Sequence, residues 1–486
     1  MNLPILSIIV FSPLVGALII MALPKERHTD IKATAAVTSF ISCIASIYAF
    51  FAYDHTLGGI QFEEQVRWIP SLGVSYHVGV DGINLPLVLL TGVIIFSGVL
   101  ISWVRDYRPR EFFALLLVLV TGVFGTFVAL DLFLLLVFYE LAVLPMYLLI
   151  GIWGTTRKEY AAMKLTLYLL LGSSLALAGV LVTSIASGLG TFDLLELAQV
   201  NFSPAFQAAI FLPIFIGFDV LGGLWPLHTW SPDGHVAAPT AVSMLHAGVL
   251  MKMGAYSALR VGVLLFPDGA RQWLPWIIIL TVVNVVYGAT VALAQRDFKY
   301  VIGYSSVSHM GYVTMGVATL SQIGLSGAAM QMFSHGIMTG IFFAVVGLVY
   351  RRTHTRQIPK LGGLARKLPF VAGAFIIAGL SSMGMPGFSG FVAEFQVLMG
   401  VWHTYPIIAV LSLIGIVVTA AYILRFTYMI FFGPLKEEFQ DIPPASTLER
   451  LALLFMCAFI IGFGVLPQPI LTVIHVGVSE LLAAIR

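Results

Sequence analysis

Leu132-Phe-Leu-Leu-Leu-Val-Phe-Tyr-Glu-Leu-Ala-Val-Leu-Pro-Met-Tyr-Leu-Leu-Ile-Gly-Ile-Trp153 is an apolar run with one charge at its middle, Glu140, and no other Asp, Glu, Lys or Arg lies between Asp131 and Arg157. About twenty apolar residues cross a bilayer as a helix, so the run reads as a membrane span carrying an acid. Working outward, comparable windows occur at 3–23, 33–53, 83–104, 112–130, 132–153, 165–185, 206–230, 240–263, 274–294, 301–320, 325–350, 369–400, 406–432 and 451–465. The expected fold is therefore an all-α polytopic membrane protein of about fourteen transmembrane helices. Composition agrees: 486 residues, 59% hydrophobic and 10% charged, with a mean hydropathy of +0.98, exclude an ordinary soluble enzyme. A net charge of +2 without a basic block argues against a nucleic-acid partner. Cys43 and Cys457 sit in apolar runs and offer neither a disulfide framework nor metal-ligand spacing.

Sidedness follows from the loops, because Lys and Arg in short loops stay on the cytoplasmic face. Nineteen basic residues, from Lys25 and Arg27 to Lys436 and Arg450, follow odd-numbered windows, whereas loops after even-numbered windows hold Arg67 and Arg271. Both termini are expected outside. The first window has no charged start or cleavage site and reads as a retained helix. The long outer loop 54–81 contains Ile60-Gln-Phe and Val74-Ser-Tyr-His-Val between Gly and Pro residues, the pattern of a small β-hairpin.

Two windows contain helix breakers. The seventh runs through Gly222-Gly-Leu-Trp-Pro226 and the twelfth through Gly384-Met-Pro-Gly-Phe-Ser-Gly390. Pro removes a backbone donor, so each helix is expected to break at membrane depth beside protein or a wet cavity. Pro226 and Pro386 lie an odd number of windows apart, which reverses orientation. Windows four to eight and nine to thirteen thus read as two inverted five-helix repeats, with broken helices 7 and 12. The divisions are 1–111 (three helices and the outer hairpin), 112–263 (first repeat), 264–432 (second repeat) and 433–486 (the fourteenth helix and a tail).

Glu140, Asp219, Lys252 and Glu394 are charges placed well inside apolar windows. Each costs roughly 2.5–3.5 kcal/mol on the insertion scale, so packing alone does not explain them. His246, His309 and His335 lie at similar depth, and histidine passes protons near neutral pH. These groups read as a polar axis able to load and release protons. His228, Asp233 and His235 lack a tetrahedral ligand set and read as capping or loop-fixing residues.

Five stretches carry a resemblance: Val78-Gly-Val-Asp-Gly-Ile-Asn-Leu-Pro-Leu87, Phe138-Tyr-Glu-Leu-Ala-Val-Leu-Pro-Met-Tyr147, Pro226-Leu-His-Thr-Trp-Ser-Pro-Asp-Gly-His235, Tyr304-Ser-Ser-Val-Ser-His-Met-Gly311 and Gly384-Met-Pro-Gly-Phe-Ser-Gly-Phe-Val-Ala-Glu-Phe395. With them the chain resembles the antiporter-like membrane subunits of respiratory complex I, most of all the subunit M (chain 4) group of NADH-quinone oxidoreductases. The resemblance implies a proton path through Glu140, Lys252, His309 and His335 toward Glu394, where the L and N subunits generally have Lys. It implies no cofactor in this chain; NADH, FMN, iron–sulfur clusters and quinone belong to partner subunits. It also implies L- and N-type neighbours and a bacterial-type plasma membrane. The chain closes soon after the fourteenth window, without the long lateral helix typical of the L subunits.

One position departs from the family. A lysine is expected seven residues before His228, to pair with Glu140, and here that residue is Leu221. Asp219 and His246 are the candidate compensating groups, although two residues turn a helix by about 200° and direct Asp219 away from that side. Three functions remain in view: a proton-translocating subunit of a quinone oxidoreductase, a subunit of a cation/proton antiporter or membrane hydrogenase, and a non-conducting spacer.

Overall fold

In lipid the backbone donors and acceptors of an apolar run find no partner but one another, which drives each window into a helix. The computed structural model describes residues 3–486. It places α1 (Ile5–Ala22), α2 (His28–Ala52), β1 (Gln61–Ile69), β2 (Val74–Val80), α3 (Leu85–Ile101), α4 (Pro109–Val128), α5 (Leu132–Trp153), α6 (Lys158–Ser187) and the single turn α7 (Leu194–Leu197). Next come α8 (Pro204–Gly222), α9 (Trp230–Ala237), α10 (Thr240–Leu245), α11 (Met251–Ser257), α12 (Pro267–Ala294), α13 (Phe298–Ala318) and α14 (Gln322–Thr353). The chain ends with α15 (Pro369–Ser382), α16 (Ser389–Thr404), α17 (Pro406–Phe431), α18 (Thr447–Val465) and α19 (Gln468–Ala484). Ten of the described helices are long and apolar enough to cross a membrane, and α3, α15 and α19 are shorter apolar helices.

The two windows with breakers are interrupted. α8 stops at Gly222, and Gly223 takes a φ of 85°, the left-handed conformation that glycine adopts without steric cost. A turn at 224–229 then leads into α9. Between α15 and α16, Gly384 and Gly387 have φ of 67° and 95° around Pro386. The 240–263 window is helical throughout but twice widened, with π-helical turns at His246–Leu250 and Ala258–Val263 flanking α11.

Burial locates the centre. In α14, 94% of the most apolar window is buried, against 33% in α17, so α14 runs through the middle of the bundle and α17 along its rim. The residues expected as a tail form α19 instead. It docks rather than dangles: Gln322 Nε2 donates to the His475 carbonyl at 2.9 Å, the Gly59 amide donates to Glu480 at 2.5 Å, and Gly477 lies against Gly82.

The expected hairpin is present, β1 and β2 pairing antiparallel with Gln65 opposite His77. His77 anchors it from both ring nitrogens, Nδ1 at 2.5 Å from Asp193 and Nε2 at 2.8 Å from Glu63. Burial alone would lower the His77 pKa, but the hydrogen bonds to Asp193 and Glu63 outweigh it and the net shift is upward from 6.5. Burial likewise opposes ionisation of Asp193, and the bonds from His77 and the Glu196 and Leu195 amides hold it below 3.8. Just after β2, Asp81 forms a buried ion pair with Arg260. Arg260 is a charge inside the 240–263 window that the sequence reading passes over; its pairing across 179 positions explains how it is tolerated.

Candidate functional site

Lys252 sits at the start of α11, immediately after a π turn, where the widened helix brings its Nζ to the carbonyl of Ala247 as a donor. The same Nζ lies 2.7 Å from His335 Nδ1 on α14. The His335 and His309 rings stack with centroids 5.3 Å apart, inclined by 29°. His309, on α13, continues the line: its Nδ1 is 3.1 Å from Glu394 Oε1 and its Nε2 3.0 Å from the Ser382 hydroxyl. The order along the axis is therefore Lys252, His335, His309, Glu394, with the two histidines exchanged relative to the order expected from the sequence.

All four residues are at most 3% exposed. With no solvent to spread their charge, each depends on the next for a counter-charge or an acceptor. Gln331 Nε2 approaches His309 Nδ1 at 3.3 Å and Glu394 Oε1 at 3.5 Å. An Nδ1 that carries hydrogen toward the carboxylate leaves the amide only Oε1 to donate to, so both donors converge on that oxygen. Glu394 Oε2 and His335 Nε2 have no partner among the described residues, open positions where a proton can be held or handed on. Glu394 Oε2 faces the break before α16, where a Cβ at Gly384 would come within 2.9 Å of it.

The other candidates do not join this line. Glu140, on α5, is only partly buried and makes no ion pair or side-chain hydrogen bond among the described residues. Asp219 is 1% exposed and accepts from the Thr314 hydroxyl at 3.2 Å, while its Oδ1 has no partner among the described residues. It faces α13 rather than Glu140, as the helical turn requires, and so does not compensate for Leu221. Nor does His246: its ring stacks on Trp230 at 5.1 Å and abuts His235 at 4.2 Å. Leu221 itself is fully buried.

Sequence reasoning missed several participants. Gln331 and Ser382 look like ordinary polar residues of a small-residue helix, and only packing brings them to His309. His235 is not a loop-fixing residue but lies in α9, fully buried, with Nε2 at 3.0 Å from Ser231 Oγ. Asp233 does hold the neighbouring elements, pairing with Lys164 at 2.8 Å and accepting from Tyr300 at 3.1 Å. Lys299 closes the C-terminal end of α9, donating to the Ala238 carbonyl at 2.6 Å and to Ser243 at 3.2 Å, as cations do where helix carbonyls are left over. No three His, Cys, Asp or Glu side chains converge as metal ligands among the described residues. A surface cleft of about 660 Å³, lined by Leu361, Tyr428, Lys436 and their neighbours, shares no residue with the axis.

Residues 129–420 match the family described as NADH:quinone oxidoreductase/Mrp antiporter, TM. The chain is 37% identical to the NADH-quinone oxidoreductase subunit M of Rickettsia prowazekii over 99% of both chains. It is also 37% identical to the NAD(P)H-quinone oxidoreductase chain 4 of Gloeobacter violaceus over 96% of this chain and 90% of that one. Among solved structures it superposes on a chain of respiratory complex I from Thermus thermophilus with a TM-score of 0.92 at 28% identity, covering 99% of this chain and 100% of that one. A chain of the Mrp complex from Dietzia sp. shares the fold with a TM-score of 0.88 at 21% identity, over the full length of both.

Proposed function

The chain belongs to the NADH:quinone oxidoreductase/Mrp antiporter transmembrane family, and from that membership we propose that it is the M-type, proton-translocating membrane-arm subunit of a complex I-type NADH-quinone oxidoreductase. The observation that carries the reading is the contact series Lys252–His335–His309–Glu394. A protonated Lys252 donates to His335 Nδ1; transfer leaves a neutral amine and an imidazolium whose Nε2 is free to pass the proton on. The stacked rings make no direct hydrogen bond, so a rotamer change or a bridging water completes the step to His309, which delivers to Glu394. Redox chemistry, with NADH, FMN, iron–sulfur clusters and quinone, is assigned to partner subunits, and the nearest membrane neighbours are of the L and N types.

In this reading the chain has fourteen spans, with inverted repeats at 112–263 and 264–432 between an N-terminal unit at 1–111 and a C-terminal unit at 433–486. The breaks after Gly222 and Ser382 support the pairing. The loop-charge bias supports both termini lying outside a bacterial-type plasma membrane. An antiporter or hydrogenase subunit ranks below this because the relatives at 37% identity carry quinone-oxidoreductase names. The spacer reading draws on the unpartnered Glu140 and buried Leu221.

The test uses the assembled complex in inverted membrane vesicles, with NADH oxidation and proton uptake measured together. Lys252→Met and Glu394→Gln are expected to lower the proton-to-electron ratio while electron transfer from NADH to an artificial acceptor stays intact. A ratio equal to that of the unsubstituted complex in both variants rejects the function and leaves the spacer reading.

A further inference from the structure

Six basic residues, Lys32, Arg105, Arg108, Arg110, Arg351 and Arg352, gather where α3 and α14 end and α4 begins. Three carboxylates answer them. Asp106 accepts from Lys32 at 2.8 Å, Glu111 lies 3.8 Å from Arg108 and 3.5 Å from Arg110, and the buried Glu449 is shared by Arg351 and Arg352. Every acid is taken, yet Arg105 makes no ion pair or side-chain hydrogen bond among the described residues. Its guanidinium lies over the Phe112 ring, 4.6 Å from the centroid. A ring under the face holds the plane and leaves the N–H groups at the edge for an acceptor. Arg352 has a structural use, donating to the Leu348, Pro443 and Pro444 carbonyls; Arg105 has none of that kind.

Arg105 and Arg351 line one cleft of about 370 Å³, together with Ser102 and Tyr107. Its rim is partly apolar, with Val104 49% and Tyr107 64% exposed. An aromatic track begins beneath it: Phe40, Phe96 and Phe455, from α2, α3 and α18, follow one another at centroid distances of 5.2 and 6.0 Å. Each ring lies about two turns farther into the membrane than the residue that ties its helix to the cleft: Lys32 through Asp106, Ser102 directly, and Glu449 through Arg351. Val37 and Leu454, beside the track, are more than half exposed.

We propose that this cleft binds the phosphate headgroup of an anionic phospholipid, with Arg105 and Arg351 on the phosphate and an acyl chain along Phe40, Phe96 and Phe455. Basic clefts between spans on the cytoplasmic side take such headgroups, and the loop-charge bias assigns these helix ends to that side. Arginine suits the task because its fork of donors matches phosphate oxygens. A free phosphate ion would answer the surplus charge and leave the aromatic track without an occupant, so the lipid fits more of the surface. The inference does not depend on proton movement.

The assembled complex is placed in nanodiscs of phosphatidylglycerol, or of phosphatidylcholine with inorganic phosphate added, and imaged by electron cryomicroscopy. The expected result is headgroup density against Arg105 with a chain along Phe96 in the first sample and an open cleft in the second. Arg105→Gln should lose that density, and the washed variant should carry one phosphatidylglycerol fewer per complex by mass spectrometry of extracted lipid. If the variant fails to assemble, the two unsubstituted samples decide by themselves. Density of equal strength in both overturns the choice of an anionic lipid. An open cleft in phosphatidylglycerol, a polypeptide from an adjoining subunit lying across it, or an unchanged lipid count in Arg105→Gln overturns the site.

Discussion

From α11 to α16, Lys252, His335, His309 and Glu394 succeed one another at contact distance, whereas from α5 to α8 the acids Glu140 and Asp219 stand apart, one partly exposed and the other held by a threonine hydroxyl. Both regions contain a helix interrupted by glycine, so backbone breaks do not distinguish them. The difference lies in what faces the break. Glu394 meets a histidine and a glutamine from two neighbouring helices; at the break after α8 the buried Asn284 of α12 bonds only backbone atoms, those of Gly223, Trp225 and Val307, and Leu221 offers no ionisable group. A break makes room for a polar group, and a partner on the facing helix makes that group part of a path.

The sharpest way to break the comparison is His309→Leu, which removes the link between His335 and Glu394 and leaves the buried Glu394 carboxyl without its nearest partner. Leaving a buried polar group unsatisfied costs about 1–3 kcal/mol. The variant is expected to lose proton uptake to the level of Lys252→Met and to melt at lower temperature in differential scanning calorimetry. If uptake persists at the original ratio, the contact series is not the path.

Next in size is Arg260→Leu, expected to destabilise the outer end of the first region by about 3 kcal/mol because Asp81 is left charged and buried. Adding Asp81→Asn should return much of the loss; a double variant as unstable as the single one would show that Arg260 acts through packing alone.

A smaller effect separates the outer hairpin from both regions. Because the folded-state pKa of His77 lies above 6.5, its contribution is complete below about pH 6.5 and disappears as pH rises through the raised value. Because that of Asp193 lies below 3.8, its contribution is present above about pH 3.8 and is lost as pH falls through the lowered value. Protection of the β1–β2 amides, taken relative to their intrinsic exchange rates at each pH, should therefore be greatest between these limits and fall on the alkaline side, and His77→Leu should abolish that alkaline fall.

The smallest expected change is in Glu140→Gln: a partly exposed group with no side-chain partner among the described residues, it should alter stability by no more than about 0.5 kcal/mol. Loss of pumping in that variant, with assembly intact, would place the partner of Glu140 in an adjoining subunit and make the first region as consequential as the second.

Much of this was readable from residue order. Apolar length announced the spans, Gly222-Gly223 and Gly384–Gly387 announced the interruptions, and the cost of burying charge singled out Lys252, Glu394 and Asp219. Arg260, Gln331 and His235 escaped because nothing local marks them. Arg260 is paid for by an aspartate 179 positions away, and Gln331 becomes polar machinery only because α14 runs between α13 and α16. α19 escaped for a related reason: its apolar run is shorter than a span, and docking on Gly82 and Gln322 gives it its place.

Hydrophobicity, charge and backbone stiffness act over a few residues to a few turns, and those ranges were enough to establish a polytopic helical protein with ionisable groups inside its spans. Which of those groups touch was decided by helix packing alone. Rotation about a helix axis and the insertion of a π turn choose, among side chains hundreds of residues apart, the ones that come within 3 Å, and no pattern along the chain encodes that choice.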